Sequence, residues 1–176
     1  TAASVLVPLV ARPEGVTVLL TRRTDHLHDH AGQISFPGGR AEPEELDDPV
    51  VTALREAEEE VGLRRHHVEV IGRLPLYSTV TAYQVTPVVA LVEPGFALEL
   101  DAFEVAEAFE VPLQFLMTPA HHHRHAVDLP GGPNRQFLSM PWPPQDQPAQ
   151  RLSAGQYFIW GATAAMLRNL YGFLSA

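Results

Sequence analysis

The sequence of 176 residues contains no cysteine, which excludes disulfide bonds, thiolate metal sites and a cysteine nucleophile. Any metal ion must therefore be bound by oxygen or imidazole ligands. Basic residues are also scarce, with 12 Lys and Arg against 21 Asp and Glu and a formal net charge of −9. Without a dense basic cluster, binding to a nucleic-acid backbone is not expected.

Long hydrophobic runs are missing too. No apolar stretch approaches the roughly 20 residues that cross a bilayer, and the first residues lack the basic start of a signal peptide. We therefore expect a cytoplasmic protein without a membrane segment. A length of 176 residues with 45% apolar side chains suits one domain, residues 1–176, built around a real core.

Apolar runs between turn residues predict several β-strands. The runs lie at residues 4–10, 15–21, 33–36, 68–72 and 85–92. The last run is nearly all apolar, so both of its faces should be buried. Residues 101–109 fit a short helix or strand that ends before Pro112. From 117 to 150 the chain is rich in Pro, Gly and His, which predicts mainly loop, including PWPPQDQP, with one strand near 135–140.

Two segments show helical periodicity instead. In residues 50–61, apolar side chains recur at spacings of four, three and four, and Gly62 supplies a stop. The tail, residues 159–170, shows similar helical spacing and should pack as a closing helix. We expect Trp160 to lie in that helix as a core residue.

The first helix carries four glutamates within five positions. At 100° per residue, Glu56, Glu59 and Glu60 fall within an arc of about 100° that points away from the apolar stripe. Like charges at this spacing each destabilise a helix by a few tenths of a kcal/mol, so something should neutralise them. A Mg²⁺ ion does so with carboxylate ligands. The alternative is a solvated acidic face on which Arg55 pairs with Glu58 or Glu59.

The segment before this helix, FPGGRAEPEE, contains Gly38 and Gly39, which allow close approach of backbone or ligand. Together with REAEEEVGL at 55–63, it resembles the sequence box of the Nudix hydrolase family. The second half of the box matches completely, whereas the first half has two extra loop residues. The acid that closes the loop onto the helix is therefore either Glu45 or Asp47. The resemblance implies an α/β fold, a three-layer α/β/α sandwich with a mixed central sheet.

Nudix hydrolases cleave a nucleoside diphosphate linked to another group. The resemblance implies that Glu56, Glu59 and Glu60 bind Mg²⁺ or Mn²⁺ ions, which polarise the pyrophosphate and activate water. It also counts Arg55 among the catalytic residues. Either Glu59 or Glu104 is expected to accept the proton of the water. For Glu104 the alternative interpretation is an exposed acid on a surface turn.

The upstream segment LLTRRTDHLHDHAGQISFPGG narrows the substrate class, because it is similar to the signature of the coenzyme A pyrophosphatase branch. The similarity continues in TAYQVTPVVALV and YFIWGATAAML and so covers nearly the whole chain. It implies hydrolysis of coenzyme A or acyl-CoA to 3',5'-ADP and 4'-phosphopantetheine. The chain departs from the signature at His28, where the branch has Arg. A mostly neutral imidazole binds phosphate less well, and Arg22, Arg23 and Arg40 are candidates to compensate.

The resemblance also implies a set of substrate contacts. They are Arg23, His28, Gly38, Gly39, Arg40, Ser78 and Tyr83. From this chain alone, residues 78–83 are an ordinary polar turn. The clusters His26–His30 and His121–His125 fit surface loops, although imidazoles also bind Zn, Ni or Cu.

Two alternatives stay open beside the coenzyme A hypothesis. The first keeps the fold and metal but changes the substrate to NADH, ADP-ribose or a dinucleoside polyphosphate, which the departure at His28 favours. The second is a nucleotide-binding Nudix module without turnover. Retention of Arg55, Glu56, Glu59 and Glu60 argues against it. The resemblance adds a homodimer as an expectation, although no interface signal is visible in the sequence.

Overall fold

The architecture is described by a computed structural model that covers residues 1–144 and 156–176. The later part of PWPPQDQP and the end of the predicted loop region, from residue 145, lie outside the described residues. Within these ranges the chain forms a large eight-stranded sheet and a separate two-stranded ribbon. None of the helices in these two ranges is long and apolar enough to cross a membrane.

The described residues contain ten strands and three α-helices. The strands are β1 (Ala2–Arg12), β2 (Gly15–Arg23), β3 (Ile34–Ser35), β4 (Gly38–Arg40), β5 (Val68–Arg73), β6 (Tyr77–Ser78), β7 (Gln84–Val92), β8 (Val105–Pro112), β9 (His123–Val127) and β10 (Arg135–Ser139). The helices are α1 (Pro49–Val61), α2 (Leu113–Leu116) and α3 (Gly161–Leu174). Short 3-10 turns occur at Pro43–Glu45, Arg65–His67 and Pro119–His121.

The large sheet is mixed, as predicted. Its centre is a parallel pairing of β1 with β7 that extends from Ala2 and Gln84 to Val10 and Val92. The other strand pairs are antiparallel: β2 pairs with β1, β3 and β8, while β7 also pairs with β5 and β6. The sheet order along its main path is β3-β2-β1-β7-β5.

The strands β1 and β2 separate from one another at one end of the sheet. Near Leu9 to Arg12, β1 pairs with β2, but its first residues pair with β4 instead. The far end of β2 pairs with β3. The short connection from β3 to β4 therefore lies between the separating strands, where the carbonyl of Pro37 accepts a hydrogen bond from the backbone N–H of Leu6 at 2.8 Å. This opening places a glycine-rich backbone beside the first helix.

The helices α1 and α3 cover opposite faces of the sheet. In β1, alternate side chains point to opposite faces, so Leu6 and Val10 belong to the core that contains α1. Val7 and Leu9 belong to the core that contains α3. The arrangement is the three-layer α/β/α sandwich that was expected. The strand β7 is buried on both faces, also as predicted.

Most of the predicted elements are confirmed. For residues 101–109, where the sequence allowed a short helix or a strand, the structure has a turn followed by the strand β8, which begins at Val105. The region after 117 contains a second strand, β9, which pairs with β10, so it is less irregular than predicted. The sequence HRHAV has neither a β-branched run nor an apolar alternation, and its pairing with RQFLS supplies the missing order.

The closing helix begins and ends later in the chain than the predicted segment. It begins at Gly161, and Ile159 instead lies in extended chain, where its carbonyl accepts a hydrogen bond from the Met140 backbone N–H at 2.7 Å. The prediction for Trp160 was wrong, because this residue precedes the helix and keeps 38% of its surface exposed. Burial of Ile159 on extended chain turns the neighbouring indole outward.

Helix α1 has defined ends. The Asp48 side chain accepts a hydrogen bond from the Val51 backbone N–H at the start, and Pro49 occupies the first turn, where its missing N–H costs nothing. Gly62 ends the helix in the left-handed conformation, with φ of 69°, as the sequence predicted. A Cβ atom at Gly62 would lie 2.8 Å from the backbone N of Glu99.

Replacing Gly62 with Ala should lower the free energy of unfolding by at least about 1–2 kcal/mol, because a side chain disfavours the left-handed conformation. The contact with the Glu99 backbone adds to this loss. Urea denaturation measures the change. Gly72→Ala is the matched control, since its Cβ would meet open space at an ordinary φ. Equal midpoints for the two variants would contradict the proposed role of Gly62.

Candidate active site

Glu60 is a buried carboxylate at the edge of the opening between β1 and β2. Only 5% of its surface is exposed, and its Oε2 atom accepts a hydrogen bond from the backbone N–H of Gly38 at 3.3 Å. On helix α1, Glu60 lies beside the apolar stripe, so the sheet covers it. Glu60 therefore does not belong to a solvated acidic face.

Glu56 lies one turn earlier on the helix and packs against the next glycine. A Cβ atom on Gly39 would lie 2.5 Å from the Glu56 carboxylate, so any side chain at this position would displace it. At Gly38, a Cβ atom would lie 2.4 Å from the Ser4 carbonyl oxygen. The two glycines thus let β4 pass between β1 and the helix. We call Glu56 and Glu60 the carboxylate pair.

Arg55 joins the loop before the helix to the helix itself. Its Nε atom donates to Glu45 Oε1 at 2.7 Å, and its Nη2 atom donates to Glu45 Oε2 at 3.0 Å. Glu45 also accepts hydrogen bonds from the Thr52 hydroxyl at 2.9 Å and the Glu42 backbone N–H at 3.1 Å. These bonds lower the pKa of Glu45 to about 2, with the bond from Arg55 as the largest cause.

Glu45, and not Asp47, is the acid that closes the loop. The side chain of Glu45 is buried against Arg55 and Thr52, whereas Asp47 is exposed. The two inserted residues therefore follow the closing acid. The structure settles an assignment that the sequence left open, because either acid was compatible with the loop length.

The other contacts of Arg55 are made with the carboxylate face. Its Nη1 atom donates to Glu56 at 3.0 Å and to Glu59 at 3.1 Å, and its Nη2 atom donates to the Arg40 carbonyl at 3.0 Å. The pairing with Glu59 was part of the surface alternative. It exists, but the side chain of Glu59 is 58% exposed, whereas that of Glu56 is only 14% exposed.

Burial of the carboxylate pair disfavours its negative charge. Burial raises the pKa of Glu60 to about 8, the charges of Glu56 and Glu104 add to the shift, and the Gly38 N–H and Arg23 oppose it. Burial raises the pKa of Glu56 as well, against the opposing charge of Arg55. Within the described residues no three His, Asp or Glu side chains form a ready-made metal cluster. The carboxylate pair nevertheless fits a divalent cation, because a cation removes the cost of burying both charges.

Glu104 is brought to the carboxylate pair by the loop between β7 and β8. The Asp101 backbone N–H donates to the Glu60 carbonyl at 2.9 Å, which attaches this loop to the end of the helix. The backbone N–H of Thr24 donates to the Glu104 carbonyl at 3.0 Å. The Glu104 side chain is partly buried, and its charge raises the pKa of both members of the pair. These positions contradict the interpretation of Glu104 as an exposed surface acid.

Arg23 faces the same region from the end of β2. Its positive charge lowers the pKa of Glu60. Its Nε atom is buried without a hydrogen-bond partner among the described residues, which is unusual for a buried donor. The neighbouring Arg22 is instead engaged by Glu107 at 3.5 Å. Arg23 therefore has an unused donor beside the carboxylate pair.

The remaining predicted substrate contacts lie on surrounding surfaces. Arg40 donates from Nε to the Tyr83 hydroxyl at 2.7 Å, and its guanidinium lies 5.2 Å from the centre of the Tyr83 ring. Ser78 is exposed and pairs with Gln84 across the β6–β7 ladder. His28 is exposed in the loop between β2 and β3. The structure thus brings Arg23, rather than His28, to the buried carboxylates.

The second histidine cluster is dispersed among separate contacts. His121 contacts the Phe115 carbonyl at 3.2 Å, His122 contacts the Leu116 carbonyl at 2.6 Å, and His125 contacts the Ser139 hydroxyl at 2.7 Å. The prediction of an irregular surface loop was wrong here, because His123 and His125 belong to β9. These imidazoles therefore connect neighbouring segments within residues 113–139 by side-chain contacts.

Thr24, Thr52 and Asp101 were not singled out as site residues from the sequence. Thr24 and Asp101 position the loop that carries Glu104, and Thr52 holds Glu45. Thr24 lies within the segment LLTRRT, which was the available signal. No local sequence pattern marks Thr52 or Asp101 as a site residue. The hydrogen-bond partner of Asp101 is distant in the sequence, and that of Thr52 lies across a loop.

Comparison with known proteins assigns the class. A family model described as the NUDIX domain matches residues 1–130, and the chain belongs to this family of hydrolases. The uncharacterized Nudix hydrolase NudL of Yersinia pestis (strain Pestoides F) is 40% identical over 168 residues, covering 96% of this chain and 77% of the relative. NudL of Yersinia pseudotuberculosis (serotype O:3, strain YPIII) shows the same identity and coverage.

Solved structures support the fold. An Ap4A hydrolase from C. elegans, in a binary complex, aligns with a TM-score of 0.55 at 18% identity, over 64% of this chain and 80% of that one. The Nudix hydrolase RenU from M. smegmatis aligns with a TM-score of 0.55 at 23% identity, over 64% and 71% of the two chains. Nudix hydrolases generally use divalent cations such as Mg²⁺ or Mn²⁺.

Replacing Glu45 with Gln should lower the free energy of unfolding near pH 7 by about 1–3 kcal/mol, because the two charge-assisted hydrogen bonds between Arg55 and the buried Glu45 carboxylate are lost. Since the folded pKa of Glu45 is about 2, below its ordinary value of 4.5, its contribution is complete above pH 4.5 and is lost as the pH falls toward 2. The stability difference between wild type and E45Q should therefore narrow in acid, as measured by urea denaturation at several pH values.

Asp47→Asn is the control for this measurement. It removes a neighbouring acid of the same loop that is exposed, so stability should change by less than about 0.5 kcal/mol. A loss for D47N that equals the loss for E45Q would show that Glu45 does not close the loop.

Proposed function

We propose that this protein is a divalent-metal-dependent pyrophosphatase that hydrolyses coenzyme A or acyl-CoA to 3',5'-ADP and 4'-phosphopantetheine. The observation that carries the hydrolytic part is the buried carboxylate pair, with Glu104 and the unused donor of Arg23 directed at the same region. Two buried acids and a guanidinium without a partner suit a cation and a phosphate bound together.

Glu56, Glu59 and Glu60 would hold Mg²⁺ or Mn²⁺. When bound, such an ion neutralises phosphate charge and lowers the pKa of a coordinated water. The protein positions these ligands through Arg55, which contacts Glu56 and Glu59 directly. We therefore assign Arg55 a positioning role, because its guanidinium fixes Glu56 and Glu59 relative to Glu45 and the Arg40 carbonyl.

Arg23 would bind an oxygen of the pyrophosphate. Its Nε donor is buried and has no partner within the described ranges, so an anionic oxygen would satisfy it. Its permanent charge also compensates for His28, where the coenzyme A signature has Arg. Gly38 and Gly39 contribute by leaving room for the carboxylate pair rather than by a side chain.

Glu104 is the better candidate to accept the proton of the attacking water. The alternative base, Glu59, is already engaged by Arg55 in an ion pair at 3.1 Å. The carboxylate of Glu104 has no hydrogen-bond partner among the described residues, and the loop that carries it is anchored on both sides. The water would lose its proton to a Glu104 oxygen as its own oxygen attacks phosphorus, and the bridging P–O bond of the diphosphate would break, with the other phosphate ester as the leaving group.

The choice of coenzyme A rests on the sequence around the site. The segment that matches the branch signature forms β2, the following loop and the turn into β4. It thus supplies Arg23 and the two glycines, which are residues of the site itself. The exposed His28 keeps other nucleoside diphosphate derivatives as the second candidate, since a guanidinium for phosphate is missing at that position.

Glu60→Gln and Glu56→Gln should each lower kcat by about 100- to 1,000-fold in Mg²⁺, because loss of one metal carboxylate removes several kcal/mol of charge stabilisation. The fold should persist, since Gln keeps the size of the side chain and can accept from the Gly38 N–H at position 60. Steady-state kinetics together with calorimetric titration of Mn²⁺ measures both effects.

Glu58→Gln is the matched control on the same helix. Glu58 is exposed and lines a cleft with Arg64 and Glu99 near the helix end, away from the carboxylate pair. E58Q should keep wild-type kcat and Mn²⁺ affinity. If E60Q and E56Q also keep both, the pair does not bind the catalytic metal.

The substrate is tested with a panel of coenzyme A, dephospho-coenzyme A, NADH, ADP-ribose and dinucleoside polyphosphates in Mg²⁺ and Mn²⁺. Chromatography of the products should show coenzyme A as the fastest substrate, with release of 3',5'-ADP and 4'-phosphopantetheine. Faster cleavage of another member of the panel would overturn coenzyme A as the substrate, but the proposed metal site would still hold. No turnover of any member would favour a nucleotide-binding role without catalysis.

A further inference from the structure

An exposed aromatic residue stands directly beside the candidate active site. Phe103 precedes Glu104 in the chain, and 65% of its surface is exposed. A single exposed aromatic ring is not in itself informative. Two features distinguish Phe103 from other exposed residues: its backbone is held by hydrogen bonds, and a second ring, that of His26, lies against its side chain.

The backbone of Phe103 is anchored on both sides. Its N–H donates to Asp101 Oδ1 at 2.9 Å, and its carbonyl accepts from the Thr24 hydroxyl at 2.6 Å. The next carbonyl, that of Glu104, accepts from the Thr24 backbone N–H at 3.0 Å. The protein thus orders the turn around Phe103 and still leaves its side chain in solvent. Such an exposed ring on a fixed backbone is pre-organised for a ligand.

His26 provides a second ring against Phe103. The two ring centroids are 4.8 Å apart, with planes tilted by 54°. The Thr24 hydroxyl donates its hydrogen to the Phe103 carbonyl and lies 3.4 Å from His26 Nε2. The imidazole edge of His26 thus presents polar nitrogen atoms beside the Phe103 ring. The pair combines an aromatic surface with a hydrogen-bonding edge.

This aromatic pair is close to where a diphosphate would bind. Phe103 adjoins Glu104, whose charge acts on both members of the carboxylate pair. Thr24, which holds the Phe103 carbonyl, adjoins Arg23 with its unused donor. The two rings thus lie on the chain segments that carry Arg23 and Glu104, so a flat group attached to the diphosphate is the part of a ligand that we expect to contact them.

We propose that Phe103, supported by His26, is a stacking platform for the nucleobase of the substrate. The proposal rests on the proposed function, since it presupposes a nucleoside diphosphate at this site. A base fits the rings better than an aliphatic amide chain does, because it offers a π-face to Phe103 and polar edge atoms to His26. Phe103 and His26 are thus specificity residues that contact the substrate away from the reacting phosphorus.

The test compares binding of ADP and of inorganic pyrophosphate to the whole protein in Mg²⁺ by calorimetry. Phe103→Ala should weaken ADP binding by about 5- to 150-fold, the range observed for loss of one stacked base. It should leave pyrophosphate binding unchanged, because pyrophosphate has no base. Phe103→Trp should retain ADP affinity, whereas Phe103→Leu, which is apolar but not aromatic, should lose most of it.

Phe173→Ala is the matched control, because Phe173 is a similarly exposed phenylalanine, at 71%, near the end of helix α3. It should change neither affinity. Unchanged ADP binding in F103A would overturn the proposal. An equal loss for ADP and pyrophosphate would also overturn it, since it would mean that the substitution only disturbs the loop of Glu104.

The same variants separate this proposal from the proposed function. If wild type hydrolyses coenzyme A and F103A has an unchanged KM and an unchanged ADP affinity, the platform is wrong and the function stands. If wild type turns over no member of the panel but F103A selectively loses ADP, the platform stands and the catalytic assignment fails. When both are right, F103A should raise the KM for coenzyme A with little change in kcat.

Discussion

The burial of two carboxylates against a glycine-rich strand is the constraint on which this structure depends. Glu60 can be buried because the backbone N–H of Gly38 meets it, and Glu56 can lie close to β4 because Gly39 has no side chain. The separation of β1 from β2 makes room for this contact. Because burial raises the pKa of both carboxyl groups, a cation bound beside them would favour their charged forms.

Arg55 connects the helix that carries this carboxylate pair to the surrounding loops. It binds Glu45 with two hydrogen bonds, contacts the carboxylate face, and holds the Arg40 carbonyl at the end of β4. One guanidinium thereby attaches helix α1 to the loop before it and to β4. On the other side, Thr24 and Asp101 attach the loop of Glu104 to β2 and to the helix end. The residues of the candidate site are thus held by contacts between distant parts of the chain.

Local periodicity was sufficient to predict the carboxylate helix, most strands of the main sheet and the acids at 56, 59 and 60. Their unequal burial was not predictable, because it depends on which sheet residues cover the helix. The assignment of Glu45 as the acid that closes the loop also required the structure, because the sequence spacing was equally compatible with Asp47. The strand β9 was missed because HRHAV gains its order only from β10, and Trp160 was misassigned because Ile159 is buried by pairing rather than by a helical face.

The central claim, that the carboxylate pair binds the catalytic cation, is tested most directly by anomalous diffraction from crystals grown with Mn²⁺. The account predicts a manganese peak within coordination distance of Glu56 and Glu60, beside the guanidinium of Arg23. Addition of a non-hydrolysable diphosphate should place a phosphate oxygen between the metal and Arg23. Manganese bound elsewhere, with Glu60 still buried against Gly38 and no ion beside it, would contradict the account.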